Sequence, residues 1–309
     1  MSNNGNPRPQ FVVRGVLLIV AAALTISIQD VIFKLFSSQL SLWQIFALRG
    51  ILAVQMLLAI GWMRGLSLSV LSSAVRGWPL LRAVCITMTF LAFYAAIPFL
   101  SLSTIGAANY IAPIFVTLLS AYVIKEAVGT LGWLGVTLGF AGVVILLQPG
   151  TDAFSPWALL PIVGAAFYAM AHAITRTRCQ NVPLAVMSLS QNLVMMLAGL
   201  TVSALLFWTP PNSALVEAYP YIFDTWSDVG LQDWLVLALL AVLAIVIGMM
   251  LAGAYQSAPP SIVSTFEYSY LAFVTAWDIL FFGTTPTIIS ATGMMMIVIA
   301  GLLVLQRKS

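Results

Sequence analysis

Apolar residues fall in long runs broken by short polar stretches. SLWQIFALRGILAVQMLLAIGW, residues 41–62, is typical: it is long enough to cross a bilayer, and its single charge is Arg49. A crossing needs roughly 20 predominantly apolar residues. That rule predicts helices at 11–36, 41–63, 78–100, 104–123, 129–147, 156–175, 183–208, 233–257, 261–282 and 287–305, ten in all. The break between the third and fourth rests on Pro98 and the run Ser101-Leu102-Ser103. Residues 209–232 carry prolines, the acids Glu217, Asp224 and Asp228, and several aromatics, which predicts a loop at the membrane surface rather than a span. The first run is too long for a signal-peptide core and ends on Asp30 and Lys34, so it reads as a retained helix.

Composition supports this pattern. Of 309 residues, 61% are hydrophobic and 7% charged, against about 25% charged in a soluble domain. The net charge of +3 does not form a basic patch, because the cations are scattered singly between apolar runs, and no nucleic-acid partner is expected. Cys85 and Cys179 are far apart and form no metal-ligand or disulfide pattern. With the N-terminus inside, the inner face receives Arg8, Arg14, Arg64, Arg76, Arg82, Lys125, Arg176, Arg178, Arg307 and Lys308, ten of the twelve basic residues. The outer loops hold Asp152, Glu217, Asp224 and Asp228 and no cation. This positive-inside asymmetry predicts an even number of spans with both termini cytoplasmic, in a multi-pass protein of the cell (inner) membrane.

The chain also repeats itself. YAAIPFLSLSTI (94–105) matches YQSAPPSIVSTF (255–266) at Tyr94/Tyr255, Pro98/Pro259 and Ser103-Thr104/Ser264-Thr265. AGVVILLQ (141–148) echoes AGLLVLQ (300–306). Helices three to five thus resemble helices eight to ten. The expected organisation is a tail at 1–10, a five-helix repeat at 11–150, a second at 151–305, and a tail at 306–309. Five is odd, so the second repeat enters the membrane inverted. Such repeats favour alternating access around a site near the midplane.

The stretch 81–150 runs from LRAVCITMTF through P-hydrophobic-run-KE to a Gly-rich helix ending in QPG, and with 254–305 it resembles the EamA branch of the drug/metabolite transporter superfamily. The resemblance covers nearly the whole chain. It implies an all-α integral membrane fold of ten helices in two inverted repeats, carriage of small metabolites, often outward, and a cavity between helices one, three, four, six, eight and nine. Such carriers include amino-acid exporters and carriers resembling those for S-adenosylmethionine or riboflavin. One departure stands out. Gly283-Thr284 occupies the place where the family usually has Gly-Glu, the counterpart of Lys125-Glu126 in the first repeat.

Ionisable residues inside the spans are few: Asp30, Lys34, Arg49, Glu267 and Asp278, with His172 near the inner end of the sixth helix. A central Arg costs about 2.5–3.5 kcal/mol on insertion scales, so Arg49 should face protein or a wet cavity and find a partner. Asp30 and Lys34 share a helix face, and Asp30 lies at a depth comparable to Arg49. An Asp30–Arg49 bridge is expected, with Lys34 snorkelling outward. This cluster either pins two helices together or contacts substrate and gates. Glu267 has no Lys or Arg near it in sequence and sits among aromatics, in TFEYSYLAF. Desolvation disfavours a charged carboxylate, so Glu267 can couple proton movement, bind a cationic group of a substrate, or serve as a static tie to Arg49 or a backbone amide. Asp278, near the outer end of the same helix, is expected to meet water.

Arg49, Tyr94, Asn109, Tyr110, Tyr168, Glu267 and Tyr270 are the candidate substrate-binding residues, and Glu267, Asp30 and Lys34 the candidates for proton coupling or gating. Each tyrosine alone is as readily an interface anchor; together they point to a small amphipathic or zwitterionic substrate, amino-acid or cofactor-like. His172, the only histidine, supports no metal site and reads as packing. Gly132, Gly135, Gly139 and Gly142 form a small-residue stripe for close helix packing, within the monomer or at a homodimer interface. A membrane enzyme acting on a lipid-like substrate is the rival reading. It would need a positioned nucleophile and base or a metal cluster. The chain offers no catalytic set, no metal site and no cofactor motif.

Overall fold

In bilayer hydrocarbon every backbone N–H and C=O must be satisfied within the chain, which leaves helices or closed barrels. A computed structural model describes residues 9–36, 40–65, 67–109, 111–112, 114–115, 118–119, 130–148, 155–258, 263, 266–267 and 269–305. Most of these residues are helical, and no strand lies among them. The main helices are α1 (Pro9–Phe36), α2 (Leu42–Met63), α3 (Gly77–Ala95), α4 (Leu102–Asn109), α5 (Thr130–Leu147), α6 (Leu159–Arg178), α7 (Leu184–Trp208), α8 (Leu231–Ser257), α9 (Ser269–Phe282) and α10 (Ile288–Leu305). Six of them, α1, α2, α3, α6, α7 and α8, are long and apolar enough to cross a membrane. Shorter apolar helices lie at Trp133–Ile145, Ser269–Phe282 and Ile288–Ala300.

The outer surface is apolar. Leu17 (66% exposed), Phe207 (72%) and Leu280 (70%) face outward, together with many other large aliphatic side chains. A water-soluble monomer rarely shows contiguous apolar surface of this kind; lipid tails cover it without penalty.

The principal helix pairs are α5–α10, α2–α7, α3–α6 and α1–α8. Lipid offers little hydrophobic drive between helices, so close approach at small residues carries the packing. Gly142 seats α5 on α10: a Cβ there would stand 2.9 Å from Gly293 O. This places at least part of the glycine stripe inside the monomer. Gly199 is tighter. A Cβ would meet Ala47 N at 2.5 Å and Trp43 O at 2.7 Å, both backbone atoms of α2. Gly199→Ala should therefore push α2 and α7 apart and destabilise by about 1–3 kcal/mol, the range for overpacking. A lowered unfolding midpoint of the purified protein checks this.

Residues 209–230 pack against the end of the bundle at the start of α2. The segment holds two short helices, Ser213–Ala218 and Pro220–Phe223, and the second of them and the stretch after it are tied to the start of α2. Trp43 Nε1 donates to Ile222 O at 2.7 Å, Gln44 Nε2 donates to Ser227 O at 2.7 Å, and Ser227 N donates to Gln44 Oε1 at 3.0 Å. Tyr221 is thereby buried in the core. Burial raises its hydroxyl well above the ordinary tyrosine range, with the Arg49 charge pulling the other way. Arg64, Arg76 and Arg178 are exposed at the opposite end.

Candidate functional site: a cavity with two tyrosine-held carboxylates

Six helical segments line a cavity of about 60 Å³. Its lining comes from α1 (Ile19, Ala23, Ile26, Asp30), α3 (Thr89, Phe90, Phe93), α4 and the residues just after it (Asn109, Ala112), α6 (Tyr168), α8 (Leu251), and the segment leading into and along α9 (Glu267, Tyr270). These are the first, third, fourth, sixth, eighth and ninth helices, the set that the family resemblance implies. The walls are mostly apolar. Two carboxylates project among them, and the lining contains no Lys or Arg among the described residues.

Each carboxylate is gripped by two tyrosine hydroxyls. Tyr94 donates to Asp30 Oδ1 at 3.1 Å and Tyr270 donates to Asp30 Oδ2 at 2.7 Å. Tyr168 and Tyr255 both donate to Glu267 Oε1, at 2.8 and 2.7 Å. Glu267 and Tyr270 are three residues apart, so one segment reaches both clusters. Gln29 Nε2 in turn donates to the Tyr94 hydroxyl at 2.6 Å. Tyr94 is fully buried, its ring stacked on Phe33 at 4.0 Å. Burying a carboxylate is tolerable only when its oxygens are hydrogen-bonded, and the tyrosine hydroxyls supply such bonds.

Of the residues expected at a site, the structure brings Asn109, Tyr168, Glu267, Tyr270 and Asp30 to the cavity wall. Tyr94 stands behind it, holding Asp30. Tyr110 lies outside the described residues. The expected Asp30–Arg49 bridge does not form, because the tyrosines take both oxygens of Asp30. Arg49 lies away from the cavity, toward the capping loop. Its Nη2 approaches Met195 Sδ at 3.2 Å, and its guanidinium sits 5.3 Å from the ring centres of both Phe33 and Phe46. Nor does it tie to Glu267. Arg49→Ala and Asp30→Asn should therefore lower stability additively, to within about 0.5 kcal/mol, against the larger coupling expected of contacting groups. Thermal unfolding of both single variants and the double variant measures it.

Asp278 is also not at the water interface: it is 0% exposed. Its carboxylate accepts from the backbone N–H groups of Leu102 (3.4 Å) and Ser103 (2.7 Å), while Ser101 Oγ accepts from Thr104 N at 3.2 Å. The first-turn donors of α4, which lack partners inside the helix, are thus satisfied from α9 and from the preceding residue. Lys34 does not snorkel free. Its ammonium donates to Leu100 O at 3.2 Å and sits 4.8 Å from the centre of the Phe282 ring, near Asp278.

Two residues were not anticipated. Tyr255 holds Glu267, and its match to Tyr94 in the repeat was the available signal. Arg82, counted with the inner-face cations, is instead fully buried between α3 and α6. It is the sixth residue of α3, and its Nε donates to Thr175 Oγ1 at 2.9 Å. His172 packs as expected, stacked on Tyr255 at 3.9 Å and edge-on to Tyr168 at 4.1 Å.

The architecture has known relatives. A solved crystal structure superposes on 97% of this chain and 100% of its own, with a TM-score of 0.63 at 17% identity, and so shares the fold. A riboflavin transporter of Vibrio cholerae serotype O1 is 30% identical over 176 residues, 56% of this chain; the chain spans about half of that relative's length, 52%. The pseudopaline exporter CntI of Pseudomonas aeruginosa (strain UCBPP-PA14) is 24% identical over 293 residues, covering 93% of this chain and 94% of the exporter. Residues 13–148 match the EamA-like transporter family. Residues 13–148 are thus similar to the EamA-like transporter family, and along its length the chain resembles proteins named as transporters.

Proposed function

We propose that this protein is a secondary transporter. It moves a small amphipathic or zwitterionic metabolite, amino-acid or cofactor-like, across the cytoplasmic membrane by alternating access, with Glu267 coupling the cycle to protons. The observation that carries this reading is the cavity: an apolar chamber inside the bundle, with Asp30 and Glu267 presented by tyrosines on four helices. A proton or a cationic group of a solute can satisfy such carboxylates by turns, and the tyrosine donors can release them as water enters.

Ten spans in two inverted repeats, 11–150 and 151–305, with both termini cytoplasmic, complete the reading. The helix pairing supports it. Exchanging α1–α5 for α6–α10 maps α2–α7 and α5–α10 onto themselves and swaps α1–α8 with α3–α6. Contacts that survive that exchange support a pair of equivalent arrangements of the kind that alternating access uses. The relatives' names, a riboflavin transporter and a pseudopaline exporter, agree in class and differ in cargo; the tyrosine-rich, acid-bearing cavity favours a solute with an apolar body and a cationic group.

Uptake into proteoliposomes of the purified protein tests the proposal. Labelled amino acids, nucleoside-like cofactors and flavins are offered with and without an inward acid gradient. Saturable uptake of one class, driven by the gradient, is expected. Failure of a folded preparation to take up any of them would overturn it.

A further inference from the structure

One buried cation has no task in the scheme above. Arg82 is 0% exposed. Apart from its bond to Thr175, its guanidinium is unused: Nη1 and Nη2 hydrogen-bond to no protein atom among the described residues. Among the described residues, the titratable groups that act on it are Tyr168, His172 and Cys179, and none of these types carries negative charge at neutral pH. His172 lies three residues before Thr175, about one turn nearer the cavity. It is 1% exposed, and neither of its ring nitrogens bonds to a protein atom among the described residues.

The order from the cavity toward the α3 N-terminus is therefore Glu267, then the rings of Tyr168 and Tyr255, then His172, then Arg82. A carboxylate faces the chamber, and unsatisfied donors lie one layer behind it. Buried polar groups in folded proteins are nearly always hydrogen-bonded, and an unpaired charge inside a membrane is more costly still. A guanidinium fork matches a carboxylate or phosphate through two parallel bonds. Two adjacent buried groups with vacant donor positions fit an anion that visits rather than one built into the chain.

We propose that Arg82 and His172 form an anion subsite, which receives the carboxylate or phosphate of the carried solute when the Tyr168–Glu267–Tyr255 layer parts. The inference rests on the transporter reading and narrows it. With carboxylates in the chamber and a guanidinium behind them, the solute carries both a cationic and an anionic group, so the zwitterionic class is selected over the merely amphipathic one.

Thermal unfolding of the purified full-length protein in detergent tests this without any transport assay. The probes are sodium acetate and sodium phosphate, each titrated separately at an ionic strength held constant with sodium chloride. At ten times the half-saturating concentration the wild-type midpoint should rise by about 3–5 °C. Arg82→Gln should abolish the rise, and Arg82→Lys, which keeps the charge and loses the fork, should retain a weaker one. A response to acetate alone assigns a carboxylate; a response to phosphate alone assigns a phosphate. No saturable rise in the wild type with either anion, or an undiminished rise in Arg82→Gln, overturns the subsite. Should Arg82→Gln not fold, the wild-type titration and Arg82→Lys still decide, since a response indifferent to the loss of the fork also counts against it. If the anions bind as described while proteoliposomes take up no solute, the subsite stands and the transporter reading falls.

Discussion

Replacing Glu267 with Gln should reduce gradient-driven uptake at least tenfold while leaving exchange in the absence of a gradient within about twofold of wild type. The geometry sets this expectation. Tyr168 and Tyr255 both donate to a single oxygen, Oε1. Gln has nearly the same shape and keeps a carbonyl oxygen at that place, so both tyrosine bonds can persist and the cavity wall keeps its form. The lost property is the ability to alternate between a charged and a neutral state. A tenfold change corresponds to about 1.4 kcal/mol, modest for a group on which the driving force acts. Initial rates in proteoliposomes, with and without an inward acid gradient, give both quantities from one preparation. Equal losses in the two conditions would make Glu267 a binding or structural group and remove the proton-coupling step. Asp30→Asn, examined in parallel, asks the same of the carboxylate held by Tyr94 and Tyr270.

The other large effect is structural. Asp278→Ala should lower the unfolding midpoint by about 6–12 °C. The carboxylate supplies acceptors for two backbone N–H groups at the start of α4, in a position shielded from solvent. A buried donor left without an acceptor costs about 1–3 kcal/mol, and replacing an acidic N-cap side chain with Ala costs about 0.5–2 kcal/mol. Taken together, about 3 kcal/mol is expected, and each kcal/mol moves the midpoint of a chain of this size by about 2–4 °C. Asp278→Asn keeps one acceptor oxygen and should lose about half as much. Circular dichroism of the purified variants during heating provides the readout. Because α4 brings Asn109 to the cavity, Asp278→Ala should also weaken solute uptake at temperatures where the protein is still folded. A midpoint within 1 °C of wild type would mean that α4 does not depend on this cap.

The residues that bear on function were visible as an intramembrane minority long before their neighbours were. Asp30, Arg49, Glu267 and Asp278 stand out because charge in an apolar run is costly, and cost needs no coordinates to be recognised. Their partners could not be recognised in that way. Asp30 and Arg49 have comparable depths on adjacent helices, which made an ion pair reasonable. In the fold, Tyr94 and Tyr270 reach Asp30 from sequence separations of 64 and 240 residues, and Arg49 turns toward Phe33, Phe46 and Met195. Aromatic faces and a thioether are weak partners for a cation individually, yet three of them around one guanidinium form an adequate cage. Asp278 misled for a related reason. Depth along a helix suggested water, but an uncapped helix end on the neighbouring segment was the stronger demand.

Arg82 shows the same limit from the other side. Near the start of an apolar run, an Arg is normally counted with the inner-face charges. Its burial follows from the side of α3 on which it falls, facing Thr175 of α6, and that side is set by how α3 and α6 pack.

By itself, then, the sequence determined what is local and additive: which segments are apolar enough to enter lipid, where the cations gather, that two stretches repeat, and which few groups carry charge inside the membrane. Each follows from transfer free energies summed over neighbouring residues, or from comparing one stretch with another. Only the tertiary structure decided which side chains meet. A carboxylate in a bilayer can be satisfied by a cation, by hydroxyls or by backbone amides at similar depth, and local chemistry does not rank these choices. Helix rotation and close approach at Gly142 and Gly199 rank them, placing tyrosines at Asp30 and Glu267 and amides at Asp278, and leaving Nη1 and Nη2 of Arg82 without a hydrogen-bond partner among the described residues.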